Sequence, residues 1–332
     1  MGRVNKKFKI GLTYDLRDDY LKEGYGFEET AEFDLPDTIE AIEKVILDNG
    51  FQADRIGNIK ALIHRLAKGD RWDLVFNIAE GMYGFGREAQ VPALLETYKI
   101  PYTFSDPLGH ALSLHKGMTK HVLRDLGIPT PDFAVVNSDA EIDKVNLPFP
   151  LFAKPVAEGT GKGITALSKI TNRQNLQKVC KYLLKTFKQP VLVETYLPGR
   201  EFTVGILGTG KDARSLGALE VILKPNAEKN AYSYENKEHY DKLVDYVLVN
   251  DDEAQKAMEI SLIAWRGLDL KDAGRIDLRS NVHGVPHFME VNSLAGLNPV
   301  RSDLPILCSK IGMSYHKLIT SIIKSALKRT KK

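Results

Sequence analysis

The chain has 332 residues, 43% of them hydrophobic and 27% charged, with a formal net charge of +3. That length allows two or three domains, and the composition is ordinary for a globular protein. The small charge excess gives no reason to expect nucleic acid or a membrane surface as a partner, and no apolar run approaches the length of a membrane span.

The amino end leads directly into a short apolar strand and has no signal-peptide core. Residues 8–14 alternate and break at Asp15, which predicts a first strand. Residues 37–49 place Ile39, Ile42, Val45 and Ile46 on one helical face, and Gly50 closes the helix. A second helix is expected over 59–68, a buried strand over 72–77, a polar loop over 80–86 and a further helix over 88–98. Strands and helices at this spacing imply a parallel sheet with covering helices. Ligands of such sheets bind at the carboxyl ends of the strands, which puts residues 14–17 and 77–86 at one mouth. Asn77 and Glu80 are therefore candidate substrate residues.

Pro107 starts a predicted helix that ends at Gly127. Strands are expected over 133–136 and 151–155, and the second opens into the loop Glu158-Gly159-Thr160-Gly161-Lys162-Gly163. Further strands are expected over 191–194 and 201–207, a helix with an acidic first turn over 251–267, and a final hairpin from 274–278 and 286–292. Cys180 and Cys308 lie in apolar helical contexts and read as small buried hydrophobes, consistent with a reducing, cytoplasmic setting. The basic end, residues 324–332, reads as a solubilising helix terminus, since no aromatic residues are interleaved to suit nucleic acid.

Three motifs carry chemistry. In the last hairpin, Asp277 lies on one strand, with Glu290 and Asn292 on the next. Residues two apart on a strand share a face, so three oxygen ligands converge in a set that suits magnesium. Arg275 shares that face and sets a guanidinium beside the site, as phosphoryl transfer requires. An exposed, salt-bridged strand face is the alternative reading. The second motif is Lys154-Pro155 before the glycine loop, where backbone amides can approach phosphate oxygens. The loop is neither a Walker motif, since Gly163 follows Lys162, nor a dinucleotide fingerprint, since Ile164 fills the third glycine slot. Taken alone it could be a plain hairpin turn. The third is Glu194-Thr195-Tyr196-Leu197 followed by Glu201, where a strand end can meet an adenine edge and a carboxylate a ribose. A strand-loop-strand link with exposed acids is its alternative.

The order of Lys116, Lys154 with its loop, Glu194 to Glu201, then Arg275, Asp277, Glu290 and Asn292 resembles the ATP-grasp superfamily, most closely the D-alanine–D-alanine ligases. The resemblance runs from about Ile100 to the carboxyl end. It implies an α/β ATP-grasp fold of three domains: a parallel-sheet domain over 1–104, a central subdomain over 105–190 and a carboxyl-terminal subdomain over 191–332. It also implies roles. Lys116, Lys154 and the loop Glu158, Gly159, Thr160 and Gly161 hold ATP phosphates. Glu194, Tyr196 and Leu197 hold adenine, and Glu201 the ribose. Lys237 belongs to a lid loop. Asp277, Glu290 and Asn292 bind two magnesium ions, for which manganese can substitute. Arg275 stabilises the acylphosphate and the tetrahedral intermediate.

The amino-acid-binding segments depart from the family. Gly11-Leu12-Thr13-Tyr14-Asp15 lacks the family's glutamate, Asn77 to Gly81 replaces its His-Gly segment, and Ala295-Gly296-Leu297-Asn298 replaces its Pro-Gly-Met-Thr stretch. Arg301 and Ser302 stand in a loop that faces substrate in the family, where a guanidinium could grip a carboxylate; a surface pair with Asp303 is the alternative. The expectation is an ATP-dependent carboxylate–amine ligase that forms an amide or peptide bond and releases ADP. Its substrates are expected to be small molecules, amino acids or peptides other than the usual pair, and a homodimer is allowed. The rival is a regulatory protein that keeps the fold and ATP binding without turnover.

Overall fold

Apolar residues at Ile10, Leu12, Leu74 and Phe76 are fully or almost fully buried and build the centre of an amino-terminal sheet. In the computed structural model, which describes residues 7–226 and 240–330, this sheet has three parallel strands in the order β2-β1-β3. They are β1 Lys9–Tyr14, β2 Gln52–Gly57 and β3 Leu74–Ile78. The parallel sense agrees with expectation, but β2 was not foreseen: only Ile56 within it is a buried hydrophobe, so it shows no alternation. The helix Pro36–Asp48 buries Ile39, Ile42, Val45 and Ile46, and Gly50 at φ +82° ends it. The carboxyl ends of β1 and β3 lie side by side, with Thr13 opposite Asn77. Gly81 N–H there donates to Asp15 Oδ2 at 2.8 Å, so the two segments do share one mouth.

The helix expected over 107–127 is two helices, Pro107–Leu114 and Lys116–Asp125. His115 at ψ 86° interrupts the helix, and its ring Nδ1 accepts from Met118 N–H at 3.2 Å to cap the second helix. Lys116 N–H leaves the helical pattern and donates to Val156 O at 3.0 Å. The break therefore pins Lys116 to the base of the glycine loop.

Two antiparallel sheets follow. One has the order β4-β7-β5-β6, from β4 Phe133–Val136, β5 Leu151–Pro155, β6 Lys169–Ile170 and β7 Val191–Thr195. The other has the order β10-β9-β8-β11-β12, from β8 Glu201–Leu207, β9 Arg214–Leu223, β10 Val244–Val249, β11 Ala273–Ser280 and β12 Pro286–Asn292. Because β7 pairs with β4 and β5, a division at 190 cuts through a sheet, and we move that boundary to the turn at 196–200. The helix Asp252–Gly267, capped by Asp251, packs Trp265 into the core of the five-stranded sheet.

The last helix, Tyr315–Thr330, returns to the amino-terminal domain. Leu318, Ile319, Ile322 and Ile323 share one core with Ile39, Ile42 and Ile46. Its basic end is more than a solubilising terminus, since Arg329 pairs with the fully buried Asp272 at 2.6 Å. Both cysteines are buried and unpaired. No helix among the described residues is long and apolar enough to cross a membrane.

Candidate active site

The site is built on β11 and β12. Asp277 stands opposite Glu290, and Arg275 opposite Asn292. Directly paired residues face the same way, so all four side chains share one face. A bulge follows at Asp277–Leu278, which leaves Met289 as the extra residue and spares the two pairs above it. Asp277 Oδ1 accepts from Thr203 Oγ1 at 2.8 Å across β8, and its Oδ2 receives Arg275 Nη1. Arg275 also lies 3.3 Å from Asp303 Oδ2. Although burial opposes its charge, Asp277 and Asp303 push the Arg275 pKa further up, so the guanidinium is permanently charged.

Asp277, Glu290 and Asn292 offer two carboxylates and an amide oxygen, the hard donor chemistry that magnesium or manganese prefers. Among the described residues no cluster of three or more His, Cys, Asp or Glu side chains surrounds one metal position. The fit therefore rests on this mixed set. Asn292 Nδ2 lies 3.3 Å from Asp277 Oδ2, so a half-turn of that amide points its oxygen to the same place.

A cavity beside this face lies against the glycine loop. Lys116, Lys154, Glu158 and Gly161 form its side against the glycine loop, and Tyr196, Leu197 and Glu201 its far end, with Asp277 and Glu290 between. Lys116 Nζ donates to Glu158 O at 2.5 Å and lies 3.4 Å from Glu290 Oε2. Tyr196 has Lys169 Nζ 4.2 Å and the Arg279 guanidinium 5.2 Å from its ring centroid, and Arg279 also pairs with Glu201 at 3.3 Å. Arg279 was not foreseen, although it stands two residues beyond Asp277 on the same strand.

Glu194 does not line this cavity. It is fully buried beneath it, 3.0 Å from Lys154 Nζ and 3.0 Å from Lys120 Nζ. Burial raises its pKa, but the two ammonium groups more than offset that and hold it below the ordinary value. Two lysines on one carboxylate leave a buried net positive charge. Burial pulls Lys120 down to about 8, while Glu194 and Glu290 outweigh burial at Lys154 and raise it. Lys120 was missed as well; its place four residues after Lys116 on one helix was the available signal.

A second cavity shares Lys116, Glu158 and Glu290 with the first and continues past Gly159, Thr160, Arg275 and Asn292 to Glu80 and Glu88. Burial, together with Glu88 and Glu32, raises the Glu80 pKa well above the usual carboxylate range. Asn77 is a correction. It is fully buried inside the sheet, where its Oδ1 accepts from Thr13 Oγ1 at 2.8 Å and from Ala79 N–H at 3.2 Å, and it lines neither cavity. Arg301 is exposed, and Ser302 Oγ is occupied by Asn298 N–H at 3.0 Å; neither residue lines either cavity. Asp303, the alternative partner of Arg301, is engaged instead by Arg275 and by Tyr246 Oη at 2.8 Å. Lys237 lies outside the described residues.

Comparison with known proteins gives a consistent result. The family model described as D-ala D-ala ligase C-terminus matches residues 122–324. D-alanine–D-alanine ligase of Aquifex aeolicus is 34% identical over 291 residues, 86% of this chain and 93% of that protein. An uncharacterised protein of Sinorhizobium fredii is 32% identical over 271 residues, 77% of this chain and 75% of its own. D-alanine–D-alanine ligase from Bacillus anthracis complexed with ATP superposes with a TM-score of 0.73 at 22% identity, covering 98% of this chain and 99% of that one. The D-Ala:D-Ser ligase from Enterococcus faecalis gives 0.74 at 19%, covering 97% and 100%.

Proposed function

The chain belongs to the D-alanine–D-alanine ligase family of ATP-grasp enzymes, and from that premise we propose that it joins an amino-acid or peptide carboxylate to an amine through an acylphosphate, with a substrate pair other than two D-alanines. It is an ATP-dependent ligase that forms a peptide bond. The observation that carries the finer reading is the meeting of two cavities at Lys116, Glu158 and Glu290. A nucleotide in the first would direct its phosphates to the place where a second molecule, held against Arg275 and Glu80, can reach them.

A carboxylate oxygen of the acid attacks the γ-phosphorus and ADP leaves. The amine nitrogen then attacks the carbonyl carbon, phosphate leaves, and the nitrogen gives up one proton. Lys116 and Lys154 hold the phosphate charges, and Arg275 faces the oxygen on which charge develops. Asp277, Glu290 and Asn292 would hold magnesium, which when bound screens the phosphate oxygens. Lys237 keeps its lid role as a proposal from the family alone. The ATP requirement and two unpaired cysteines support a cytoplasmic setting. No observation favours the regulatory alternative.

The test is a screen for phosphate release over D- and L-amino acids and dipeptides taken in pairs. One pair should give ADP and phosphate in equal amounts, each dependent on both substrates. Two molecules of D-alanine should react poorly at micromolar to low millimolar concentration, about the usual range of enzyme affinities. Efficient D-alanyl-D-alanine synthesis would refute the altered specificity. Tight ATP binding with no release from any pair would restore the regulatory reading.

A further inference from the structure

Glu32 lies in the amino-terminal domain, on the segment that leads into the helix Pro36–Asp48, yet its carboxylate ends on the glycine loop. Gly159 N–H donates to Glu32 Oε1 at 2.5 Å, and Lys162 Nζ donates to Oε2 at 3.1 Å. Arg87, also of the amino-terminal domain, pairs with the same carboxylate at 2.9 Å and donates from Nη1 to Ala157 O at 2.9 Å. Lys162 in turn reaches Glu158 Oε2 at 2.5 Å. The side chains of Glu32, Arg87 and Lys162 are 9%, 6% and 8% exposed. Two carboxylates and two cations thus form a buried, neutral set that grips the loop by a carbonyl, an amide and a side chain.

We propose that Glu32 and Arg87 are positioning residues that fasten the phosphate-binding loop to the amino-terminal domain and set the height at which Thr160 and Gly161 face the two cavities. The inference rests on the reading that this loop receives ATP phosphates. A different account would make Glu32 an internal anion that fills the phosphate position until ATP displaces it. The bond from Arg87 to Ala157 O argues against that, because an arriving phosphate cannot replace a grip on a carbonyl. Displacement would also strand Arg87 beside Lys162 without their shared carboxylate. Although burial raises it, Arg87 and Lys162 bring the Glu32 pKa down to about 2, so the ion pair persists through the neutral range. Gly159 is matched to the contact, because a Cβ there would run into Glu32 Oε1. Arg87 lies between Glu80, seven residues before it, and the adjacent Glu88, and both acids line the second cavity. The same short stretch of backbone therefore borders one substrate and braces the loop for the other.

The experiment compares wild type, Glu32→Gln, Arg87→Met and the double variant in the full chain. Binding of ATP and of adenosine is measured by calorimetry without the acid substrate, alongside thermal unfolding. Each single change should weaken ATP binding by about tenfold or more while adenosine stays within about twofold, and the double variant should be no worse than the weaker single. Adenosine lacks the phosphates, so a general structural loss would weaken both ligands and overturn the proposal. Unchanged ATP affinity overturns it, as does tighter binding, the mark of a displaced internal anion. If Glu32→Gln does not fold, Gly159→Ala tests the same contact with every charge retained, and it should also weaken ATP selectively. Wild type that binds no ATP sinks the functional reading and this one together. Wild type that binds and turns over ATP beside unaltered variants sinks this one alone.

Discussion

Glu290 stands where two cavities meet, 3.4 Å from Lys116 and directly across from Asp277. Changing it to Gln keeps its shape and removes one charge from the oxygen set. Glu290→Gln should lower turnover at least about a hundredfold, the scale of losing a transition-state stabiliser, with an unchanged melting temperature. Near-normal ADP production would remove Glu290 from the metal site. Arg301 is the opposite case. Its chain position invited a role in gripping a carboxylate, but Asn298 Oδ1 accepts from its backbone N–H at 3.1 Å while the side chain is left exposed. Arg301→Ala should therefore leave the acceptor's Michaelis constant within about twofold, as surface changes usually do. A large rise would return the residue to the substrate.

At the scale of elements, β11 carries Arg275 and Asp277, and Gly274 precedes them. A Cβ at Gly274 would come 2.5 Å from the Trp265 ring and 2.6 Å from Asn292 O. Gly274→Ala must push β11 away from β12 or from the helix Asp252–Gly267. We expect a cost of roughly 1–3 kcal/mol from overpacking, with phosphate release falling more than stability does, because Asp277 and Glu290, the pair proposed to hold magnesium, are displaced. Thermal unfolding and steady-state rates on one preparation separate the two, and an unaffected rate would mean that the strands adjust without moving Asp277. This hairpin was legible in the sequence, since period-two spacing placed Asp277, Glu290 and Asn292 on one face without knowledge of the bulge beyond them. The helix break at His115 was not legible, because it depends on Val156 O, forty residues away in the chain, claiming the Lys116 N–H. Nor was Glu32, whose partners lie 55, 127 and 130 residues further on. Glu194 was placed correctly at the end of β7 but facing the wrong neighbour, since only the fold reveals Lys120 beneath it.

Across the whole molecule, the two ends of the chain complete one core. Ile322 from the last helix is fully buried with Ile39, Ile42 and Ile46 from the first long one. Ile322→Ala should cost about 2–5 kcal/mol, the range for a buried isoleucine cut to alanine. Hydrogen exchange should then rise in β1 and β3, far away in sequence. Protection lost only within residues 315–330 would show that the helix is an appendage. The same closure orders events during synthesis. On the ribosome, the strands of the first domain emerge early but cannot finish their interior until residues 315–330 have been made, more than three hundred positions after Lys9. A nascent chain arrested before Tyr315 should stay open to protease around β1, so a part translated well before that helix is among the last to become secure.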